Sequence, residues 1–267
     1  MPDLSGKVAV VTGASKGVGK GVALGLAEAG ATVYATGRAV SGDCFADSPT
    51  AGGRIVPVRC DHTDDGETEA VFERVADERG RLDVLVNSAW GGYEGMFEGG
   101  EFTWPRPFWE QPVWRWDAMF AAGVRAAYVA SRHAARAMVA AGSGLIVNIS
   151  FWAARKYVGN VAYGVSKAAT DKLTSDTASE LSAHGVAAVS LYPGLVRTEK
   201  VMEAAAFLDL SNSESPQFVG RAVAALAADP EVLHRSGRVL VAAALALEYG
   251  FTDVDGKQPR PLTLEDI

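Results

Sequence analysis

Cysteine is nearly absent from this 267-residue chain: Cys44 and Cys60 are the only two. Two thiols without metal-type spacing make neither a disulfide framework nor a zinc site. A reducing compartment follows, and the cytoplasm is the expected location. Histidine is scarce as well. His62, His133, His184 and His234 are scattered with no ligand pattern, so no metal is expected. Positive charge is in deficit, with 25 Lys and Arg against 32 Asp and Glu, a net charge of -7. That balance argues against nucleic acid or an anionic membrane surface as partner. The apolar run from Val239 to Leu247 is too short to cross a bilayer. The start of the chain has no basic segment leading into a long apolar one, so no signal peptide is expected. Internal repeats, low-complexity tracts and a linker between domains are also missing.

What remains is an alternation of strand-like and helix-like stretches. Lys7 to Thr12 reads as a buried strand, Ala31 to Thr36 as a second, Arg54 to Arg59 as a third, and Leu82 to Asn87 as a fourth. Gly144 to Ser150, Val186 to Tyr192 and Gly237 to Ala242 read as three more. Helical patterns lie between them, to about Ala29 and over 64–79, 116–141, 162–184 and 216–228. Residues 40–53 read as a loop. Strands alternating with helices predict an α/β fold: one Rossmann-type doubly wound domain over 1–267, with about seven parallel strands flanked by helices.

Two stretches point to chemistry. The first strand runs into Gly13-Ala14-Ser15-Lys16-Gly17-Val18-Gly19 and then a helix. Glycines let the backbone approach a pyrophosphate, and a helix N-terminus offers free N–H groups and partial positive charge. The second strand ends at Gly37-Arg38, facing the position of an adenosine ribose. An acid there would bind a free 2′-hydroxyl, whereas Arg38, with Lys16 nearby, suits a 2′-phosphate. NADP(H) is therefore favoured over NAD(H), unless Arg38 is a solvated loop charge. Asp61, after the third strand, either accepts from an adenine amino group or caps the next helix.

The second stretch is Tyr163-Gly164-Val165-Ser166-Lys167. At i and i+4 the tyrosine and lysine share one helix face. A neighbouring ammonium favours the phenolate, and lowering a tyrosine pKa by roughly three units takes on the order of 4 kcal/mol. Taken alone, the pair is equally well a packed tyrosine beside a solvated lysine.

Together with Asn87-Ser88-Ala89, Ser150 and Pro193-Gly194, these motifs resemble the short-chain dehydrogenase/reductase family over about residues 5–200. The segment ending Ala118 to Gly123 and the tail Tyr249 to Gly256 resemble the subgroup typified by dehydrogenase/reductase family member 1. The resemblance implies hydride transfer between nicotinamide and the carbonyl or secondary alcohol of a small molecule. Tyr163 would move the proton, Lys167 would lower its pKa and hold the ribose, and Ser150 would orient the carbonyl. The cofactor set implied is Gly13, Ser15, Lys16, Gly17, Val18, Gly19, Arg38, Asp61, His62, Asn87, Tyr163, Lys167, Pro193, Gly194, Val196 and Thr198. A homodimer or homotetramer, paired through the helices near 116–141 and 162–184, is also implied. Two positions depart from the pattern. Gly123 stands where most members carry an asparagine that holds a water beside the lysine, so the proton relay is expected to use another water contact or to be slow. Phe151 follows Ser150 where a small or hydroxyl residue is common. Those departures leave a rival reading, a catalytically weak NADP(H)-binding sensor or scaffold. Enoyl reduction is disfavoured by the close Tyr163–Lys167 spacing.

Five of the six tryptophans fall in 88–116, among phenylalanines and glycines. A segment this long directly after the fourth strand reads as an aromatic wall or lid for a bulky apolar substrate. Its alternatives are oligomer packing or a small satellite core. Residues 199–215, with Met202, Phe207 and Leu208, read as a mobile substrate lid.

Overall fold

The computed structural model describes residues 2–46, 52–203 and 205–267, apart from the side chain of Phe207. Its strands are short apolar runs, as parallel strands covered on both faces must be. They are β1 Val8–Val11, β2 Thr32–Gly37, β3 Arg54–Arg59, β4 Val84–Asn87, β5 Gly144–Ile149, β6 Val186–Tyr192 and β7 Val239–Val241. All pair in parallel, in the order β7-β6-β5-β4-β1-β2-β3. The helices are α1 Gly17–Glu28, α2 Asp65–Arg79, α3 Val113–Met119, α4 Ala126–Ala141, α5 Val161–Leu181, α6 Glu199–Glu203, α7 Pro216–Ala228 and α8 Ala242–Tyr249.

Strand parity divides the core in two. Val84 and Val86 of β4 join α1, α7 and α8 on one face. Leu85, from the same strand, joins α2, α4 and α5 on the other. At the C-terminal end of that second face the apolar residues give way to a polar ladder. Asn87 Nδ2 donates to Ser131 Oγ at 3.0 Å and to Asn148 Oδ1 at 2.7 Å. Asn148 Nδ2 in turn donates to Thr174 Oγ1, which also accepts from Ser190 Oγ. The ladder ties β4, β5 and β6 to α4 and α5 directly beneath the sheet end where the site lies.

Three elements differ from the sequence reading. The long helix expected over 116–141 begins at Val113 and is interrupted by a π turn, Phe120–Arg125, which contains Gly123. The alanine-rich stretch after β7 is α8, closed by Gly250 in the left-handed region at φ 72°. In the loop expected at 40–53, Gly42–Phe45 form a 3-10 turn, while 47–51 lie outside the described residues. Of the expected lid, Ala204 and the Phe207 side chain also lie outside them. Its end is tied to the chain just before it, because Ser213–Glu214 pair in parallel with Leu195–Val196. Among the described residues no helix is long and apolar enough to cross a membrane.

Candidate active site

The sheet order reverses between β1 and β4, and ligands of open α/β sheets bind in the crevice at such a point. Thr12, at the end of β1, closes the floor of this crevice. Its Oγ1 accepts the N–H groups of Ser88 at 3.0 Å and Ala89 at 3.1 Å. Gly13 then turns at φ 68°, and a Cβ on it would come within 2.7 Å of Ala89 Cα. A Cβ on Gly19 would collide with the Gly13 carbonyl oxygen. α1 thus starts hard against the turn, with no side chain capping it and no acid in its first turn. The exposed N–H of Gly17 donates to Glu199 Oε2, reached from α6, at 2.9 Å. A carboxylate thus sits where the start of a helix favours negative charge. Ser15 and Val18 line the turn half-buried, and Lys16 is exposed.

Four expected cofactor residues separate in the structure. Arg38 follows β2 in solvent, its guanidinium 4.0 Å from Glu94. Asp61 does not cap α2; Asp64 does, accepting from Glu67 N. The Asp61 Oδ1 accepts instead from the Thr63 N–H and hydroxyl, which hold its carboxyl below the usual range. The His62 ring turns into the protein, 2.7 Å from Thr36 Oγ1, and burial pulls its pKa down to about 4. Asn87 also faces inward, as a rung of the polar ladder. Both groups are thus engaged by protein partners, the imidazole by Thr36 and the amide by Ser131 and Asn148. Strand parity carries that signal in the sequence: His62 is in phase with buried Cys60, and Asn87 with Leu85.

Tyr163, Lys167 and Ser150 do come together. Asn160 caps α5, accepting the Tyr163 N–H at 3.0 Å, while its own Nδ2 donates to the Trp104 carbonyl at 3.1 Å. The Ser150 hydroxyl donates to the Lys167 carbonyl at 3.4 Å. Lys167 Nζ donates to the Ile149 carbonyl at 3.2 Å and lies 5.8 Å from the centre of the Tyr163 ring. Burial opposes the expected acidification of the phenol. Burial, with Tyr93 and Tyr192 adding to it, pushes the Tyr163 pKa well above 10. Burial likewise pulls Lys167 down to about 7, against an upward pull from Asp171.

The 88–116 segment has two faces. On one, the rings of Trp104, Trp90 and Tyr93 gather on Tyr163, centred 5.6, 5.8 and 6.2 Å from it. Trp90 and Trp104, with Met119, Phe151 and Tyr163, make a third, separate core, while Tyr93 stands at its exposed edge. Phe97, Phe102, Phe108 and Trp109 face outward, Trp109 being 73% exposed. The segment is fastened from within by Arg115, which is 1% exposed. Arg115 donates to the Gly95 carbonyl at 2.6 Å, to Thr103 Oγ1 at 2.9 Å and to Gln111 Oε1. Its guanidinium also lies 5.4 Å from the Trp114 ring and 5.9 Å from Trp104. Neither Arg115 nor Asn160 was singled out by sequence reasoning. An asparagine three residues before Tyr163 was a readable capping signal.

On the far side, Pro193 and Gly194 lead from β6 to buried Val196. Thr198 Oγ1 accepts from Val201 N at the start of α6. Gly194 N donates to Glu214 Oε2 at 2.9 Å. Burial raises Glu214 to about 7, the Gly194 N–H opposing, Asp253 adding and Arg197 opposing.

A family model described as short chain dehydrogenase matches residues 7–208. Dehydrogenase/reductase SDR family member 1 of Mus musculus is 44% identical over 95% of this chain and 85% of its own length; the Homo sapiens protein matches equally. Cis-4-hydroxycyclohexanecarboxylate dehydrogenase of Sinomonas cyclohexanicum is 34% identical over 93% of this chain and 97% of its own. A solved 7 alpha-hydroxysteroid dehydrogenase, complexed with NADH and 7-oxo glycochenodeoxycholic acid, superposes with TM-score 0.75 at 26% identity, covering 90% of this chain and 93% of that one.

Proposed function

Because the chain belongs to the short-chain dehydrogenase/reductase family of NAD(P)-dependent oxidoreductases, we propose that it is an NADP(H)-dependent carbonyl reductase or alcohol dehydrogenase for bulky, apolar substrates. One observation carries the reading. Tyr163, Lys167 and Ser150 converge at the sheet end whose glycine turn already holds an anionic group on Gly17.

Gly13, Ser15, Lys16, Gly17, Val18 and Gly19 would cradle the pyrophosphate, and Arg38 the 2′-phosphate. Pro193, Gly194, Val196 and Thr198 would hold the nicotinamide end. The bound nicotinamide supplies or accepts the hydride. Ser150 turns its hydroxyl to the substrate oxygen, and Tyr163 moves the proton there. A phenol held above its ordinary pKa is fully protonated at pH 7, which suits the donating, reductive direction. Lys167 positions the ribose and supplies the charge that the phenolate needs in the reverse direction.

The inner rings, Trp90, Trp104 and Phe151, support an apolar substrate. Relatives named for a cyclohexane acid and a hydroxysteroid support a cyclic one. An apolar groove along the π turn and α5, lined by Phe120, Val124, Tyr128 and Leu173, supports a homodimer or homotetramer, read by light scattering. Two free cysteines support a cytoplasmic location. Oxidation of NADPH, with NADH alongside, against a panel of cyclic ketones tests the reading. Tight NADPH binding with no turnover on any ketone would favour the sensor or scaffold instead.

A further inference from the structure

Lys167 has a neighbour that its own helix does not supply. Its Nζ lies 3.9 Å from the centre of the Trp90 ring, closer than to the Tyr163 ring at 5.8 Å. A cation over an indole face is attracted by the ring quadrupole, most strongly where water is excluded. The indole holds this place because position 123 has no side chain. A Cβ on Gly123 would stand 2.7 Å from Trp90 Cζ3 and 2.8 Å from Cε3. The π turn carries that glycine against the ring. Trp90 also sets its edge against Tyr163 at an interplanar angle of 84°. Its Nε1 is buried without a partner, so the ring is held by packing rather than by a hydrogen bond.

We propose that Trp90, seated on Gly123, is a positioning residue for Lys167, fixing the ammonium between the indole face and the Ile149 carbonyl. Side chains at 90 and 123 therefore compete for one volume beside the amine. Asp171 and Tyr163 on α5 face the amine, and Tyr93 on the insertion and Tyr192 on β6 face Tyr163 in turn. The catalytic consequence rests on the reductase reading; the seat itself does not.

The test follows the Lys167 titration by NMR of lysine labelled at Cε, with Lys167→Arg identifying the signal. In the unmodified protein it should titrate near 7, pulled down by burial. Trp90→Ala removes the cation–π attraction, which lowers the pKa, and admits water, which raises it. Burial is the larger influence on this amine, so the titration should move up by about one unit, whereas Trp90→Phe keeps it within about half a unit. An unmoved titration in Trp90→Ala overturns the proposal. A second measurement covers a variant that does not fold. Gly123→Asn should lower Tm in the native background and be nearly neutral beside Trp90→Ala; penalties that simply add overturn the shared seat. On any ketone found, Trp90→Ala should cut kcat by about tenfold with the NADPH Kd changed less than about threefold. Failure of the unmodified protein to bind NADPH would sink the reductase reading and leave the titration result standing.

Discussion

The two walls of the crevice are made of different material. The wall at β1 and α1 is backbone: glycine turns, a helix start with no side-chain cap and one hydroxyl, Thr12, locking the strand ends together. The wall at 88–116 is side chain: three rings on Tyr163, and an arginine at the hub of the segment. A backbone wall leaves space for a ligand that it does not contain. A side-chain wall fills its own space, and here it sets the dielectric around the phenol and the amine. The first wall serves binding and the second tunes reactivity, so each can be damaged without the other.

The largest separation is expected at Tyr163. Tyr163→Phe should cut turnover by about a thousandfold with NADPH affinity unchanged, seen by comparing steady-state kinetics with a fluorescence titration. Retained turnover would remove the phenol from the mechanism. Arg115→Leu should destabilise the protein by about 3 kcal/mol in urea, by stranding carbonyls that it now satisfies, again without weakening NADPH. Loss of cofactor binding would mean that the two walls are one unit. Acid should act through His62, whose ring is kept neutral in the fold. The unfolded chain takes up that proton near pH 6.5 and the fold only near pH 4. Stability should thus fall by about 3 kcal/mol as pH drops through that window, and His62→Gln should flatten the fall. Arg38→Ala should lower the preference for NADPH over NADH by about tenfold. Glu199→Gln removes a carboxylate from the phosphate turn and should tighten NADPH about threefold; weaker binding would make Glu199 part of the cofactor's seat.

These walls differ in the same way in how well the sequence announces them. Gly13, Gly17 and Gly19 are dictated by local backbone geometry, so their spacing can be read directly. The same holds for Tyr163 and Lys167, one helical turn apart, and for the strand alternation that gave the sheet. The contact between Trp90 and Gly123 joins residues far apart in sequence, and composition alone marks the segment as aromatic without saying which rings turn inward. The inward turn of His62 and Asn87 was available from parity and was outweighed by their position at strand ends. The upward pKa of Tyr163 was missed for a related reason. Adjacency to a lysine is visible in sequence, whereas the exclusion of water that governs both groups is a property of the assembled rings.

Arg115 has one more implication. Its partners Gly95, Thr103, Gln111 and Trp114 all belong to the same stretch of chain, so the stretch closes upon itself around a single cation. Such a piece behaves as a cassette. It could be exchanged between related scaffolds, hub included, to alter which molecules gain entry while the sheet beneath stays as it is.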